Sequence, residues 1–283
     1  MMTAISLIMV VLFVFAIREQ IEAKKAEKTN AVVQIEQALT KAEQNLTTAD
    51  IAKAEAVLKT ATHLTDTSDY AKTIERIKQR QVKKKQQQQA QQLDVPLINQ
   101  MDAPRLFNGC EVTSLAMLLN YEGVTVTKNE LAQRIPTVPL TYDNGQKGNP
   151  HEGFVGSVSG DTPGIGVYHE PIATLAKQYV ASDRVRDISG ESFEKVLAAV
   201  LEGYPVWIIT TSSFTPVTSM QEWQTPTETL EMTYDMHSVV ITGFDQTHIY
   251  INNPYGEKKQ QLKRSDFIAA WKQMGQQAVY ISK

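Results

Sequence analysis

The chain has 283 residues, 42% of them apolar and 21% charged, which is the make-up of a globular protein with enough length for one or two cored domains. A net charge of −3 sets up no overall field for nucleic acid or for an acidic substrate. A single cysteine excludes an internal disulfide framework.

In chain order, Met1 to Ile17 carries no charged side chain and stops at Arg18. Its length and uniform apolarity predict an uncleaved transmembrane anchor over 1–18, with a cleaved signal as the alternative. A single-pass protein of the cell membrane follows from this, or a secreted one if the segment is cleaved. Arg18, Lys24, Lys25 and Lys28 follow the run, and by the positive-inside rule they would leave the body on the cytoplasmic side.

Residues 29–92 read as a helical stalk or hairpin with a Lys/Gln-rich linker. One stripe holds Val32, Ile35, Leu39, Ala42 and Leu46, and a second holds Ile51, Ala54, Val57, Leu58 and Ala61. Thr48 or Asp50 is the expected cap of the second helix. A third helix starts near Ser68, with Tyr70, Ile74 and Ile77 facing inward. Gln81–Gln92 either prolongs that helix as a polar rod or forms a flexible linker. It lacks the interleaved aromatics of a nucleic-acid site, so no nucleic-acid partner is expected.

From residue 93 the texture changes, and 93–283 reads as a separate domain. "VPLI" suggests a short strand, "EVTSLAMLLNYEG" a helix closed by Gly123, and "TKNELAQRI" a helix capped by Thr127. Pro136 to Gly166 is a Gly- and Pro-rich connection long enough to be functional. Helices follow at "EPIATLAKQYV" and "SFEKVLAAVLEG". Strands follow at "YPVWIITT", "TLEMTYDMHSVVITGFD" and "HIYINNP", the last two meeting at a turn near Gln246 and Thr247. A late helix capped by Ser265 and a closing strand "QAVYISK" complete an α+β order, helices first and antiparallel strands later.

Cys110 stands where a Gly-containing turn gives way to an apolar helix. Unpaired N–H groups and the dipole at a helix start favour a thiolate, whereas a cysteine can equally be a packed small hydrophobe. A thiolate nucleophile needs an imidazole, and the imidazole needs a third group to orient it. Of five histidines, His63 lies in the stalk, His151 and His169 each precede a glutamate, and His248 follows a turn. His237 instead opens the apolar strand "HSVVITGF". Asn253, before Pro254, could accept the imidazole N–H, or simply form a turn. His151-Glu152 and His169-Glu170 lack H-E-x-x-H spacing, so no metal is expected, and no cofactor either. Trp223, Phe154 and Tyr142 could contact substrate or pack.

The segments "VPLINQ…NGCEVTSLAMLLNYEG", "GNPHEGFVG", "GYPVWI", "HSVVITGFD" and "IYINNPYG" resemble, in order, the C39-like family of papain-fold cysteine peptidases. The resemblance spans Asp94 to the C-terminus. It implies a papain-like fold with a catalytic helix on an antiparallel sheet. It also implies Cys110 as nucleophile, His237 as base and Gln100 as an oxyanion donor, and an extracytoplasmic placement. The family usually has Asp where this chain has Asn253, and neutral Asn serves the same orienting role in papain-like enzymes. The expected activity is a cysteine hydrolase acting on a peptide or amide. The alternatives are a silent module binding a peptide or cell-wall component, and an acyl transferase of the same fold.

Overall fold

The computed structural model describes the backbone of residues 2–88 and 91–283, and their side chains except those of 2–14, 83, 85–88 and 91. The chain forms two compact units, Met1–Lys85 and Gln86–Lys283.

The first unit holds α1 (Met2–Asn45), α2 (Thr48–Ala61) and α3 (Ser68–Gln88). Its core joins Ile35, Leu39 and Ala42 of α1 to Ile51, Ala54, Leu58 and Ala61 of α2 and to Ile74 and Ile77 of α3. These are the inner positions of the three apolar stripes, spaced three and four apart as helical packing demands. The cap of α2 is Thr47, one residue before the expected position; its hydroxyl accepts the Asp50 N–H at 3.1 Å. Lys78 pairs with Glu55 at 2.7 Å, and the Gln81 amide donates to the Leu46 carbonyl at 2.8 Å, so α3 is tied to its neighbours by polar contacts as well.

The expected membrane anchor over 1–18, and the cell-membrane placement built on it, are corrected here. Among the described residues no helix is long and apolar enough to cross a membrane. Instead of a separate apolar helix, the chain runs as one 44-residue helix from Met2 to Asn45, with charges from Arg18 onward. The apolar run is shorter than the roughly 20 residues that a hydrocarbon core requires. Most of its side chains, those of residues 1–14, lie outside the described residues. The Lys/Gln-rich run is helical as far as Gln88, and residues 89 and 90 lie outside the description.

The second unit is a mixed α+β fold. It contains β1 (Gln91–Gln92), α4 (Cys110–Tyr121), α5 (Lys128–Arg134), β2 (Thr137–Val138), β3 (Phe154–Gly156), β4 (Gly164–Gly166), α6 (His169–Ala176), β5 (Val185–Asp187), α7 (Phe193–Leu201) and β6 (Val206–Thr211). There follow β7 (Gln221–Gln224), β8 (Thr229–Met232), β9 (Met236–Phe244), β10 (His248–Asn253), β11 (Glu257–Lys263), α8 (Arg264–Gln273) and β12 (Ala278–Ile281). An antiparallel sheet runs β11-β10-β9-β6-β12-β5, with β1 added on β9. All nine residues of β9 are buried, which is why it reads as a continuous apolar run rather than an alternation. Helix α4 packs on β9 and β6, and the long Gly/Pro-rich connection folds into the small sheet β2-β3-β4.

Three local expectations change. "VPLI" is extended but joins no ladder; the buried Asn252 amide binds the Val95 carbonyl at 3.0 Å in its place. The segment 229–244 is two strands rather than one, broken at residues 233–235, because β8 pairs with β7 while β9 pairs with β6. The N-terminal cap of α8 falls at Lys263, not Ser265. The turn between β9 and β10 does sit at Gln246 and Thr247, where Asp245 Oδ1 accepts the N–H groups of Thr247 and His248, each at 2.7 Å.

Candidate active site

Cys110 is the first residue of α4, and several contacts fix that helix start. Trp207, fully buried on β6, donates its indole N–H to the Glu111 carbonyl at 3.0 Å. Gly109 precedes the thiol at the point where the chain crosses Leu106; a Cβ on Gly109 would lie 2.5 Å from Leu106 Cβ. The backbone N–H groups of Phe107 and Asn108 donate to Ser159 and Val158, at 2.9 and 3.1 Å. The Asn108 amide reaches the Ser157 carbonyl at 2.7 Å. Lys128, at the start of α5, donates to the carbonyls of Asp102 and Pro104 and so braces the loop between Gln100 and Cys110.

His237, on the central strand, faces Asn253 at the end of β10: Nε2 lies 3.0 Å from Asn253 Oδ1. The orientation of that amide is fixed by its other partners. Oδ1 also accepts the Tyr255 backbone N–H at 3.1 Å, and Nδ2 donates to Gln260 Oε1 at 2.9 Å. A backbone N–H can only donate, so Oδ1 is the acceptor and His237 carries its proton on Nε2. Nδ1 is left with its lone pair. The imidazole has two aromatic neighbours, Tyr255 stacked at 5.0 Å and Phe214 tilted at 6.1 Å between ring centroids. The Cys110 sulfur interacts with the backbone N–H of Ser238, the residue after His237 on the same strand. The fold thus brings Cys110, His237 and Asn253 to one place.

Gln100 is fully buried and reaches the same loop, but its amide is engaged there. Nε2 donates to the carbonyls of Leu106 at 3.1 Å and Phe107 at 3.0 Å, while Oε1 has no partner among the described residues. In this state both amide protons brace the loop before the thiol.

The site is buried, with Cys110 7% and His237 2% exposed. Burial pushes the Cys110 thiol well above its ordinary value, the Glu111 carboxylate adds to this, and the Ser238 N–H opposes it. Burial draws His237 down to about 4 against the hydrogen bond to Asn253. The helix-start stabilisation of a thiolate is therefore outweighed, and the resting pair is a neutral thiol and a neutral imidazole.

Glu111 is the group that the sequence hid, since a glutamate one residue into a helix reads as a solvated first-turn acid. It is fully buried: Oε1 accepts the Val167 N–H at 3.3 Å, and Oε2 has no hydrogen-bond partner among the described residues. Burial raises its carboxyl to about 8. The space for it comes from Gly166, at φ +143°, where a Cβ would stand 2.1 Å from Glu111 Oε1. No signal in the linear pattern marks this burial.

The remaining residues divide plainly. Phe154 and Trp223 are buried packing residues, Tyr142 is half-buried, and His63 is exposed in the helical unit. His248 binds the Thr247 hydroxyl at 2.9 Å. His151 and His169 are drawn together, with ring centroids 6.2 Å apart.

Comparison with known proteins follows the same outline. The chain is 56% identical over 201 residues to the uncharacterized protein YvpB of Bacillus subtilis strain 168, covering 71% of this chain and 80% of YvpB. It is similar to a crystal structure of a candidate C39-like peptidase from Bacillus anthracis, with a TM-score of 0.66 and 41% identity, covering 69% of this chain and 98% of that one. The Peptidase_C39 like family matches residues 92–279, from the first strand through the site to the last. By that match, which spans most of the chain and all four site positions, the protein belongs to the Peptidase_C39 like family.

Proposed function

We propose that the domain over 93–283 is a thiol hydrolase that cleaves a peptide or amide bond through Cys110, His237 and Asn253, with Gln100 as oxyanion donor. The observation that carries the reading is the His237–Asn253 hydrogen bond, whose donor and acceptor are fixed by Tyr255 and Gln260. It leaves the imidazole with an unprotonated Nδ1 and a held ring, the geometry that a general base requires.

In the reaction, His237 Nδ1 takes the Cys110 proton as sulfur bonds to the substrate carbonyl carbon. The oxyanion is received by backbone N–H groups at the start of α4 and by Gln100, which exchanges one of its loop carbonyls for the substrate oxygen. The imidazolium then protonates the leaving amine as the C–N bond breaks. Water, deprotonated by the same nitrogen, releases the acid and restores the thiol.

A second reading, a silent module that binds a peptide, is favoured by one observation: both Gln100 amide protons are committed to the loop. A fluorogenic peptide and amide library separates the two. Hydrolysis by the wild type that falls by roughly 10³-fold or more in C110S and H237A supports the hydrolase. Peptide binding without turnover, equal in wild type and C110S, overturns it in favour of the module.

A further inference from the structure

Two His-Glu dipeptides that carry no metal signature in the linear sequence are folded against each other. The turn after Asn149 presents His151, whose backbone N–H is held by Asn149 Oδ1 at 2.9 Å and whose ring stands edge-on to Tyr168 at 4.8 Å. Helix α6 begins with His169 and Glu170. One oxygen, Glu170 Oε1, faces a ring nitrogen of each histidine: His151 Nδ1 at 2.7 Å and His169 Nε2 at 3.2 Å. Behind His169, its Nδ1 lies 2.6 Å from Asp187 Oδ2 on β5, and the other oxygen of Asp187 accepts the Ser189 N–H at 3.0 Å.

We propose that His151, His169 and Glu170 are the ligands of a divalent cation of the Zn2+ class, with Asp187 orienting His169. One ligand atom from each of the three residues lies within 4.8 Å of the other two. Zinc bonds of about 2.0–2.2 Å in tetrahedral array place ligand atoms roughly 3.3 Å apart. The His169–Glu170 separation already has that value, the His151–Glu170 separation needs to open by about half an ångström, and the two imidazole nitrogens, within 4.8 Å of each other, need to draw closer.

The donor set selects the cation. Two imidazole nitrogens and one carboxylate oxygen suit a borderline ion, whereas calcium and magnesium take oxygen ligands. The carboxylate behind His169 is the usual outer partner of a metal-bound imidazole: it holds the Nδ1 proton and points Nε2 at the ion. Both nitrogens of His169 face carboxylate oxygens, an arrangement satisfied either by an imidazolium that donates to both or by a cation at Nε2 with a proton at Nδ1, and the titration below separates the two. Three protein ligands leave a position for water, and the bound ion ties the Gly/Pro-rich connection to α6 and through Asp187 to β5.

The test is calorimetric titration of the metal-free full chain with zinc chloride, on wild type and on C110S, where the thiol cannot serve as a ligand. The expected result is one ion per chain at micromolar or tighter Kd in both, with a matching rise in Tm. H169A and E170Q should each weaken binding by at least tenfold, and D187N by roughly 10–100-fold. Should H169A fold poorly by circular dichroism, E170Q carries the comparison. Cobalt substitution adds a second readout: visible d–d bands present in the wild type and absent from E170Q. No saturable binding by the wild type, or wild-type affinity retained in both H169A and E170Q, overturns the site. Neither result touches the thiol chemistry, which does not use these residues.

Discussion

Asn253 decides what His237 can do, because it holds the imidazole by one nitrogen and is itself held twice. The Tyr255 N–H and Gln260 amide leave Asn253 no freedom to flip, so the ring proton stays on Nε2. Asn253→Ala removes the acceptor and leaves a buried ring N–H unpaired, so the imidazole loses both its tautomer preference and its orientation. The expected loss in kcat/KM is on the order of 10²-fold or more, with little change in KM. Asn253→Asp places a negative charge beside a ring that burial holds at about 4, and an opposite charge at this range raises a histidine by roughly 1–3 units. Proton transfer from Cys110 to His237 becomes easier, and the rate of iodoacetamide alkylation at pH 7 should rise above that of the wild type. Equal alkylation in N253A, N253D and wild type would remove Asn253 from the site.

The elements that were legible in the sequence are those whose burial writes a period into the chain. The stripes of α1 to α3, the apolar run of β9 and the Thr127 cap of α5 all carry such marks, and Thr127 accepts the Glu130 N–H at 3.1 Å as a cap should. Strand β11 carries none, being a polar edge strand, "EKKQQLK", placed only by its ladder with β10. The short strands β2 to β5 are fixed by tertiary pairing inside segments that read as loops. Helix α4 shows what such context adds, since its start depends on Gly109 for closeness to Leu106 rather than for an unusual φ. Gly109→Ala forces a Cβ to 2.5 Å from Leu106 Cβ, and overpacking of this kind costs about 1–3 kcal/mol. Urea unfolding should register that loss. The backbone shift that relieves the clash moves the next residue, Cys110, so alkylation should change more than stability alone explains. An unaltered unfolding midpoint would show that Leu106 gives way freely.

Across the whole molecule, Gln100, Cys110, His237 and Asn253 could be named as candidates from the sequence because each sits in a recognisable stretch. Glu111 and the meeting of His151, Glu170 and Asp187 could not, because burial and proximity arise only once α4, α6 and the main sheet are assembled. Burial of Glu111 has a consequence for the stability of the entire second unit. Its carboxyl is raised from 4.5 to about 8 on folding, so the stabilisation is complete below pH 4.5 and is lost as pH rises through about 8. His237 has the opposite sign: it is lowered from 6.5 to about 4, and its contribution is complete above pH 6.5 and lost as pH falls through about 4. The two slopes oppose each other between 4.5 and 6.5, and from 6.5 to 8 Glu111 acts without that opposition. Each bound proton is worth about 1.4 kcal/mol per pH unit, so the wild type should lose on the order of 2 kcal/mol across that window relative to Glu111→Gln, which has nothing to ionise there. All three tryptophans, Trp207, Trp223 and Trp271, lie in the second unit, so urea unfolding followed by tryptophan fluorescence reads this unit alone. The expected result is a wild-type free energy that declines from pH 6.5 to 8 more steeply than that of E111Q by this amount. Parallel declines in the two proteins would mean that Glu111 is already ionised in the folded state, and that the thiol beside it rests next to a fixed negative charge.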